Sequence, residues 1–133
     1  MKGARILLVD DESVFRHSLA ARLCLRGYGV VEAGDGEEAL ALVRKDEAIG
    51  LVIVDSRMPG LSGAQTVAEL TRLRPGMPVI ALTGMQREDV RARLGGLASV
   101  FAVLEKPCEF ERLLEAVDAA FRGNAPNLQA GPC

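Results

Sequence analysis

The chain has few of the residues that build covalent or metal-centred frameworks. Only three cysteines occur, at positions 24, 108 and 133, and no two of them form a Cys-x-x-Cys pair. An odd number of widely spaced cysteines argues against a disulfide framework and against a zinc site. We therefore expect an apolar core to hold the fold together, for which 133 residues of 49% hydrophobic composition are sufficient.

The sequence also lacks long apolar segments and an excess of positive charge. No run reaches the roughly 18 apolar residues that a membrane-spanning helix needs. The opening MKGARILLVDD reaches acidic residues too soon for a secretory signal. The formal net charge is −2, whereas general nucleic-acid binding usually needs a basic patch. These absences predict a cytoplasmic protein with no membrane insertion and no direct nucleic-acid binding by this chain.

Short apolar runs alternate with amphipathic stretches along the chain. Several of these runs are continuously apolar, as expected for strands that are covered on both faces. Five strands alternating with five helices predict right-handed crossovers and one parallel sheet with helices on both faces. The predicted strands are 5–9, 29–33, 51–54, 78–82 and 101–104, and the predicted helices are 13–26, 36–46, 63–73, 86–94 and 109–121.

Two further expectations concern the ends of elements. Asp35 is predicted to cap the second helix, with Glu38 three residues later in a variant of the capping box. Residues 1–122 are expected to form one domain. Residues 123–133 carry no periodicity and are expected to be a disordered tail or a linker remnant.

In a parallel sheet of this kind, the functional crevice lies at the carboxyl ends of the strands. Three carboxylates close together there would repel one another, which a hard divalent cation and a nearby ammonium group would relieve. With the cation bound, such a site is suited to stabilise a phosphoryl group arriving at a carboxylate oxygen. The polar residues at the predicted strand ends are Asp10, Asp11, Asp55, Thr83 and Lys106. Asp55 is the best nucleophile candidate, because the adjacent Asp10 and Asp11 are better placed to hold metal.

Five segments together resemble bacterial response-regulator receiver domains. They are ILLVDDE (6–12), VVEAGDGEEALALV (30–43), VIVDSRMPGLSG (52–63), VIALTG (79–84) and LEKP (104–107). The resemblance covers residues 4 to about 121, in the family's order and at family-like separations. It implies the flavodoxin-like, doubly wound α/β fold, with five helices and a five-stranded parallel sheet of order 2-1-3-4-5.

The resemblance also implies a metal site. Asp55 would be the phosphorylated aspartate, and Asp11 and Asp55 would ligate Mg²⁺ (or Mn²⁺). Asp10 would act largely through water, and the backbone carbonyl of Arg57 would complete the protein ligands.

The phosphoryl group would have its own partners. By the same resemblance, Thr83 would hydrogen-bond it in the active state, Lys106 would form a salt bridge with it and assist Asp55 in catalysis, and the small Gly84 would leave room beside it. The chain would be a signalling receiver that catalyses only its own phosphotransfer and autodephosphorylation.

The implied partners are proteins. A sensor histidine kinase or a phosphotransfer protein would supply the phosphoryl group. A downstream effector domain or protein would read a change in the face formed by helix 86–94, strand 101–104 and helix 109–121. The chain is expected to be either a stand-alone regulator or part of a longer protein.

One position departs from the family pattern, and the only histidine needs a separate interpretation. Receiver domains usually carry Tyr, Phe or His three residues before the lysine, and this chain has Val103. We therefore expect Thr83 to move without an aromatic gate following it. His17, the only histidine, lies in the first predicted helix and is expected to be exposed or half-buried with a structural role.

Other interpretations of the same residues stay open at this point. Asp10 and Asp11 suit the N-terminus of a helix, where carboxylates interact favourably with the dipole. A haloacid-dehalogenase-like phosphatase would need a DxD motif and a cap domain, and a flavodoxin-like carrier would need a Ser/Thr/Gly-rich first loop. The serious alternative is a pseudo-receiver, a binding module that is not switched by phosphorylation.

Overall fold

The computed structural model describes residues 4–55, 63–83, 100–105 and 109–122. The strands found there are β1 (Arg5–Val9), β2 (Gly29–Ala33), β3 (Ile49–Asp55), β4 (Val79–Thr83) and β5 (Val100–Glu105). The helices found there are α1 (Ser13–Leu25), α2 (Gly36–Lys45), α3 (Gly63–Leu73) and α4 (Phe110–Arg122). The predicted helix at 86–94 and the predicted tail at 123–133 lie outside the described residues.

The five strands form one parallel sheet in the order β2-β1-β3-β4-β5. The doubly wound α/β fold and its strand order are therefore confirmed. Because all strands run in the same direction, their carboxyl ends lie at one edge of the sheet. The polar residues at the predicted strand ends were expected at that edge.

The strands β1, β3 and β4 are buried on both faces of the sheet, which explains why they consist largely of apolar residues. Ile6 and Leu8 of β1 pack into the core under α1 and α4, while Leu7 and Val9 pack into the core under α2 and α3. All four side chains are at most 1% exposed. Burial of each such side chain stabilises the fold by about 1.5–3 kcal/mol. Because β1 is buried inside the sheet, the position of the next residue, Asp10, is well defined.

The start of β3 differs from the prediction, which placed it at Leu51. Arg5 is opposite Ile49 and Ile6 is opposite Leu51, so Gly50 is an extra residue in an irregular ladder. Glycine is depleted in strands, so Gly50 gave no strand signal, and Ile49 and Gly50 were not included in the predicted strand. A Cβ atom on Gly50 would lie 3.5 Å from a ring carbon of Phe121, so the helix α4 packs closely here.

The apolar face of α4 shares one core cluster with α1, and Phe110 at its start contacts α1 directly. Phe110 is 7% exposed, and the guanidinium groups of Arg22 and Arg26 lie 4.2 and 5.3 Å from its ring centroid. Tyr28 stacks on Phe121 with ring centroids 5.5 Å apart and donates a hydrogen bond to Asp118. These contacts join α4 to α1 and to the residue that precedes β2.

Candidate functional site

The strand register brings the backbones of three predicted site residues, Asp10, Asp55 and Thr83, to one edge of the sheet. Val9 is opposite Val54, so Asp10 and Asp55 follow paired residues of neighbouring strands. Neighbouring strands lie about 4.8 Å apart. The backbones of Asp10 and Asp55 therefore lie side by side at the carboxyl edge.

The same edge continues across the sheet. Asp55 is opposite Leu82, and the next residue, Thr83, is opposite Glu105. Lys106 follows Glu105 in the chain, but it lies outside the described residues. Arg57 and Gly84 also lie outside them, so their predicted roles stay predictions.

Asp10 forms hydrogen bonds through its backbone N–H, its backbone carbonyl and its side chain. It is 1% exposed, and its N–H donates to the carbonyl of Ala33 at 3.0 Å. Its own carbonyl accepts from Nη1 of Arg16 at 2.7 Å. Its Oδ1 accepts from the N–H of Glu12 at 2.9 Å. A buried carboxyl group needs such partners, because burial without them is costly.

The next two residues have different tasks. Glu12 is the N-cap of α1, and its Oε1 accepts from the N–H of Phe15 at 2.7 Å. The structural explanation for the acidic turn, a carboxylate at the start of a helix, therefore applies to Glu12. Asp11 is exposed, and its carboxylate forms no hydrogen bond or ion pair with the residues that the structure describes.

Arg16 and its anchor Glu32 were not predicted from the sequence. The side chain of Arg16 is 15% exposed, and its Nε donates to Oε1 of Glu32 at 2.9 Å. Nδ1 of His17 lies 2.6 Å from the same Glu32 oxygen, with the His17 side chain 64% exposed. The exposure of His17 was expected, but its acidic neighbour was not. No local signal reveals the pair, because Glu32 lies sixteen residues further along the chain on β2.

The donors at this edge suit a hard divalent cation. Asp10 and Asp11 carry carboxylates in the turn that follows β1, next to the strand that ends at Asp55, and Mg²⁺ prefers oxygen ligands with few carboxylates. No group of three or more metal-ligating side chains occurs within the described part of the chain. For Asp55, the assignment to the site rests on the position of its backbone in the sheet. The residues present therefore fit a divalent cation in kind, and their ligation of it remains a prediction.

The acidic turn before α2 is structural. Oδ1 of Asp35 accepts from the N–H of Glu38 at 2.8 Å, which confirms the predicted N-cap. Oε1 of Glu38 accepts from the N–H of Gly34 at 2.8 Å, one residue before the cap. Both carboxylates thus stabilise the start of the helix.

Comparisons with known proteins agree with this architecture. A model of the response regulator receiver domain family matches residues 6–118. Transcriptional regulatory protein GlrR of Escherichia coli (strain K12) is 41% identical over 127 residues, which are 94% of this chain and 28% of that protein. Response regulator MprA of Mycolicibacterium vanbaalenii is 38% identical over 128 residues, which are 96% of this chain and 54% of that protein. The chain thus spans about half or less of the length of these relatives.

Solved structures show the same likeness. A response regulator receiver domain protein from Clostridium thermocellum superimposes with a TM-score of 0.83 at 32% identity, over 90% of this chain and 95% of that one. Chemotaxis protein CheY4 of Vibrio cholerae gives a TM-score of 0.81 at 28% identity, over 88% of this chain and 98% of that one. No described helix is both long enough and apolar enough to cross a membrane. The chain belongs to the response regulator receiver domain family.

Proposed function

We propose that this chain accepts a phosphoryl group on Asp55 from a phosphohistidine of a sensor histidine kinase or phosphotransfer protein. The observation that carries the proposal is the register Val9–Val54, which sets the acidic turn Asp10–Asp11 beside Asp55. Family membership supports the phosphohistidine as the donor. The site chemistry supports a carboxylate as the acceptor, since phosphoryl transfer asks mainly for positioning and charge neutralisation.

The transfer requires one bond to form and one to break. A carboxylate oxygen of Asp55 forms the O–P bond while the P–N bond to the donor histidine breaks, and the histidine leaves and takes up a proton. Asp11, Asp55 and the Arg57 carbonyl would hold Mg²⁺ or Mn²⁺ directly, and Asp10 largely through water. The cation neutralises charge on the phosphoryl oxygens when it is bound.

Thr83 and Lys106 would act on the product. Thr83 ends β4 at the same edge, and Lys106 is the next residue in the chain after Glu105, the last residue of β5. In this proposal the threonine hydroxyl donates to the acyl phosphate, the lysine ammonium pairs with it, and Gly84 leaves room beside it. The chain acts on itself alone, by phosphorylation and autodephosphorylation.

The output would be a changed affinity for a protein partner. Phosphorylation would shift the population of conformations of the face formed by segment 86–94, β5 and α4. A downstream effector would bind one of these conformations more tightly than the others. Val103 of β5 is opposite Ala81 of β4. It occupies the position where receiver domains usually carry an aromatic ring. We propose that the switch operates here without that ring, in a cytoplasmic setting.

Intact-mass spectrometry after incubation with a small phosphodonor tests this function. The wild-type chain is expected to gain the mass of one phosphoryl group with Mg²⁺ present and none with a chelator. Asp55→Asn is expected to gain nothing, while Asp35→Asn, which changes the capping aspartate in the same way, behaves as wild type. A folded wild-type chain that binds Mg²⁺ and gains no phosphoryl group would instead be a pseudo-receiver.

A further inference from the structure

We propose that Arg16 is a positioning residue, which fixes the Asp10–Asp11 peptide unit for cation binding and is itself anchored by Glu32. This inference rests on the proposed function, because it concerns the same acidic turn. It adds to that site a residue that touches neither the cation nor the phosphoryl group.

Arg16 reaches two fixed points with two different nitrogens. Nη1 donates to the carbonyl of Asp10 at 2.7 Å, and Nε donates to Glu32 on β2 at 2.9 Å. The guanidinium group is planar and rigid, so two hydrogen bonds on different edges fix its orientation as well as its position. Its low exposure, 15%, keeps water from replacing either bond easily.

The Asp10 carbonyl is the geometric link to the site. It belongs to the planar peptide unit that joins Asp10 to Asp11. The N–H of Asp10 is already held by Ala33 of β2, so the Arg16 bond fixes the second end of the same residue. The Cα atom of Asp11, from which its exposed carboxylate extends, is thereby held in place before any cation arrives.

The contribution of Arg16 is positional because its charge is already compensated. Glu32 pairs with the guanidinium group, so the two charges largely cancel at the acidic turn. The two possible roles predict opposite signs. If the cationic charge dominated, its removal would strengthen Mg²⁺ binding, since like charges repel. If positioning dominates, removal of the side chain weakens Mg²⁺ binding, because the turn must first be ordered.

Three variants of the full chain separate these roles. Arg16→Met removes both hydrogen bonds, and Arg16→Lys keeps the charge but offers a single point donor that cannot reproduce the fork. The double variant Arg16→Met with Glu32→Met leaves the net charge unchanged. Arg72→Met is the matched control, because Arg72 forms an exposed pair with Glu69 on α3.

Mg²⁺ titrations followed by the backbone amide NMR shifts of Asp11 and Glu12 give the dissociation constant. Arg16→Met and the charge-neutral double variant are expected to weaken Mg²⁺ binding about tenfold, as the loss of supporting partners does at metal sites. Arg16→Lys is expected to restore part of the affinity, and Arg72→Met to bind as wild type.

Hydrogen exchange without Mg²⁺ provides a readout that needs no metal. The amide of Glu12, which is bonded to Asp10, is expected to exchange faster in Arg16→Met than in wild type, while core amides of β1 keep their protection. Protected β1 amides also show that the variant is folded.

The outcomes identify which idea fails. If wild type binds Mg²⁺ and Arg16→Met binds it equally or more tightly, the positioning role is overturned and the proposed function stands. If wild type itself gives no Mg²⁺ response, the proposed function fails, and this inference fails with it.

Discussion

The turn that joins β1 to α1 and the turn that joins β2 to α2 are built from the same kinds of residue. Each follows a parallel strand, each is rich in carboxylates, and each starts a helix. In the second turn, Asp35 and Glu38 both accept hydrogen bonds from backbone N–H groups of their own turn. In the first turn, Glu12 provides the cap, and Asp11 remains exposed beside the buried Asp10.

The difference shows what decides the role of an acidic residue at a helix start. A carboxylate whose oxygens accept from the local backbone stabilises the helix. A carboxylate that the backbone does not engage, as at Asp11, can ligate a cation directly, whereas Asp10, whose Oδ1 accepts from the N–H of Glu12, is proposed to act largely through water. Asp11 is of the second kind only because Glu12, a less common capping residue, has the first task.

The largest expected effect comes from changing Asp11 to Asn. Loss of its charge is expected to abolish measurable Mg²⁺ binding, while the free energy of unfolding changes by less than about 0.5 kcal/mol, because the side chain is exposed. Asp35→Asn, the same change at the other turn, is expected to keep both properties, since asparagine caps as well as aspartate. Calorimetric Mg²⁺ titration and thermal unfolding measure the two quantities. Equal Mg²⁺ affinities in the two variants would contradict the comparison.

A smaller effect is expected from Asp35→Ala. The variant loses the hydrogen bond from the N–H of Glu38, which is expected to cost about 1 kcal/mol of stability. Mg²⁺ affinity is expected to stay at the wild-type value, because this turn supplies no ligand. Denaturant unfolding gives the stability, and a wild-type midpoint would show that the cap contributes nothing.

The strands and the second turn could be predicted because their signals are local. The run Ile6–Val9 is apolar on both faces and ends at two aspartates, so β1 was predicted with its observed bounds. Asp35 and Glu38 have the spacing of a capping box. The start of β3 was not predictable in the same way, since Gly50 interrupts the apolar run while the backbone continues the sheet.

The site was only partly predictable for a related reason. The order of polar residues at strand ends predicted Asp10, Asp11, Asp55, Thr83 and Lys106 as site residues, and of these the register places the backbones of Asp10, Asp55 and Thr83 at one edge of the sheet. Arg16 carries no such signal, since it is one of two arginines on α1 and its partners are defined by tertiary structure. The cap at Glu12 was also missed, because glutamate is not a preferred N-cap residue.

The smallest effect is expected from Glu12→Ala. Loss of its side-chain bond to Phe15 is expected to cost about 0.5 kcal/mol, at the lower end for a cap. Mg²⁺ binding is expected to persist, because Asp10 is bonded to the backbone N–H of Glu12 and not to its side chain. Thermal unfolding and the same Mg²⁺ titration measure both effects. A loss of Mg²⁺ binding comparable to that of Asp11→Asn would mean that Glu12 is itself a ligand.

The most direct test of the central claim is to locate the phosphoryl group. After reaction with a small phosphodonor and Mg²⁺, borohydride reduction converts an acyl phosphate into a stable alcohol, and peptide mass spectrometry then identifies the residue. We predict reduction at Asp55 alone, with Asp10 and Asp11 unchanged. Reduction at Asp10 or Asp11 would contradict the division between an acceptor on β3 and a cation-binding turn after β1.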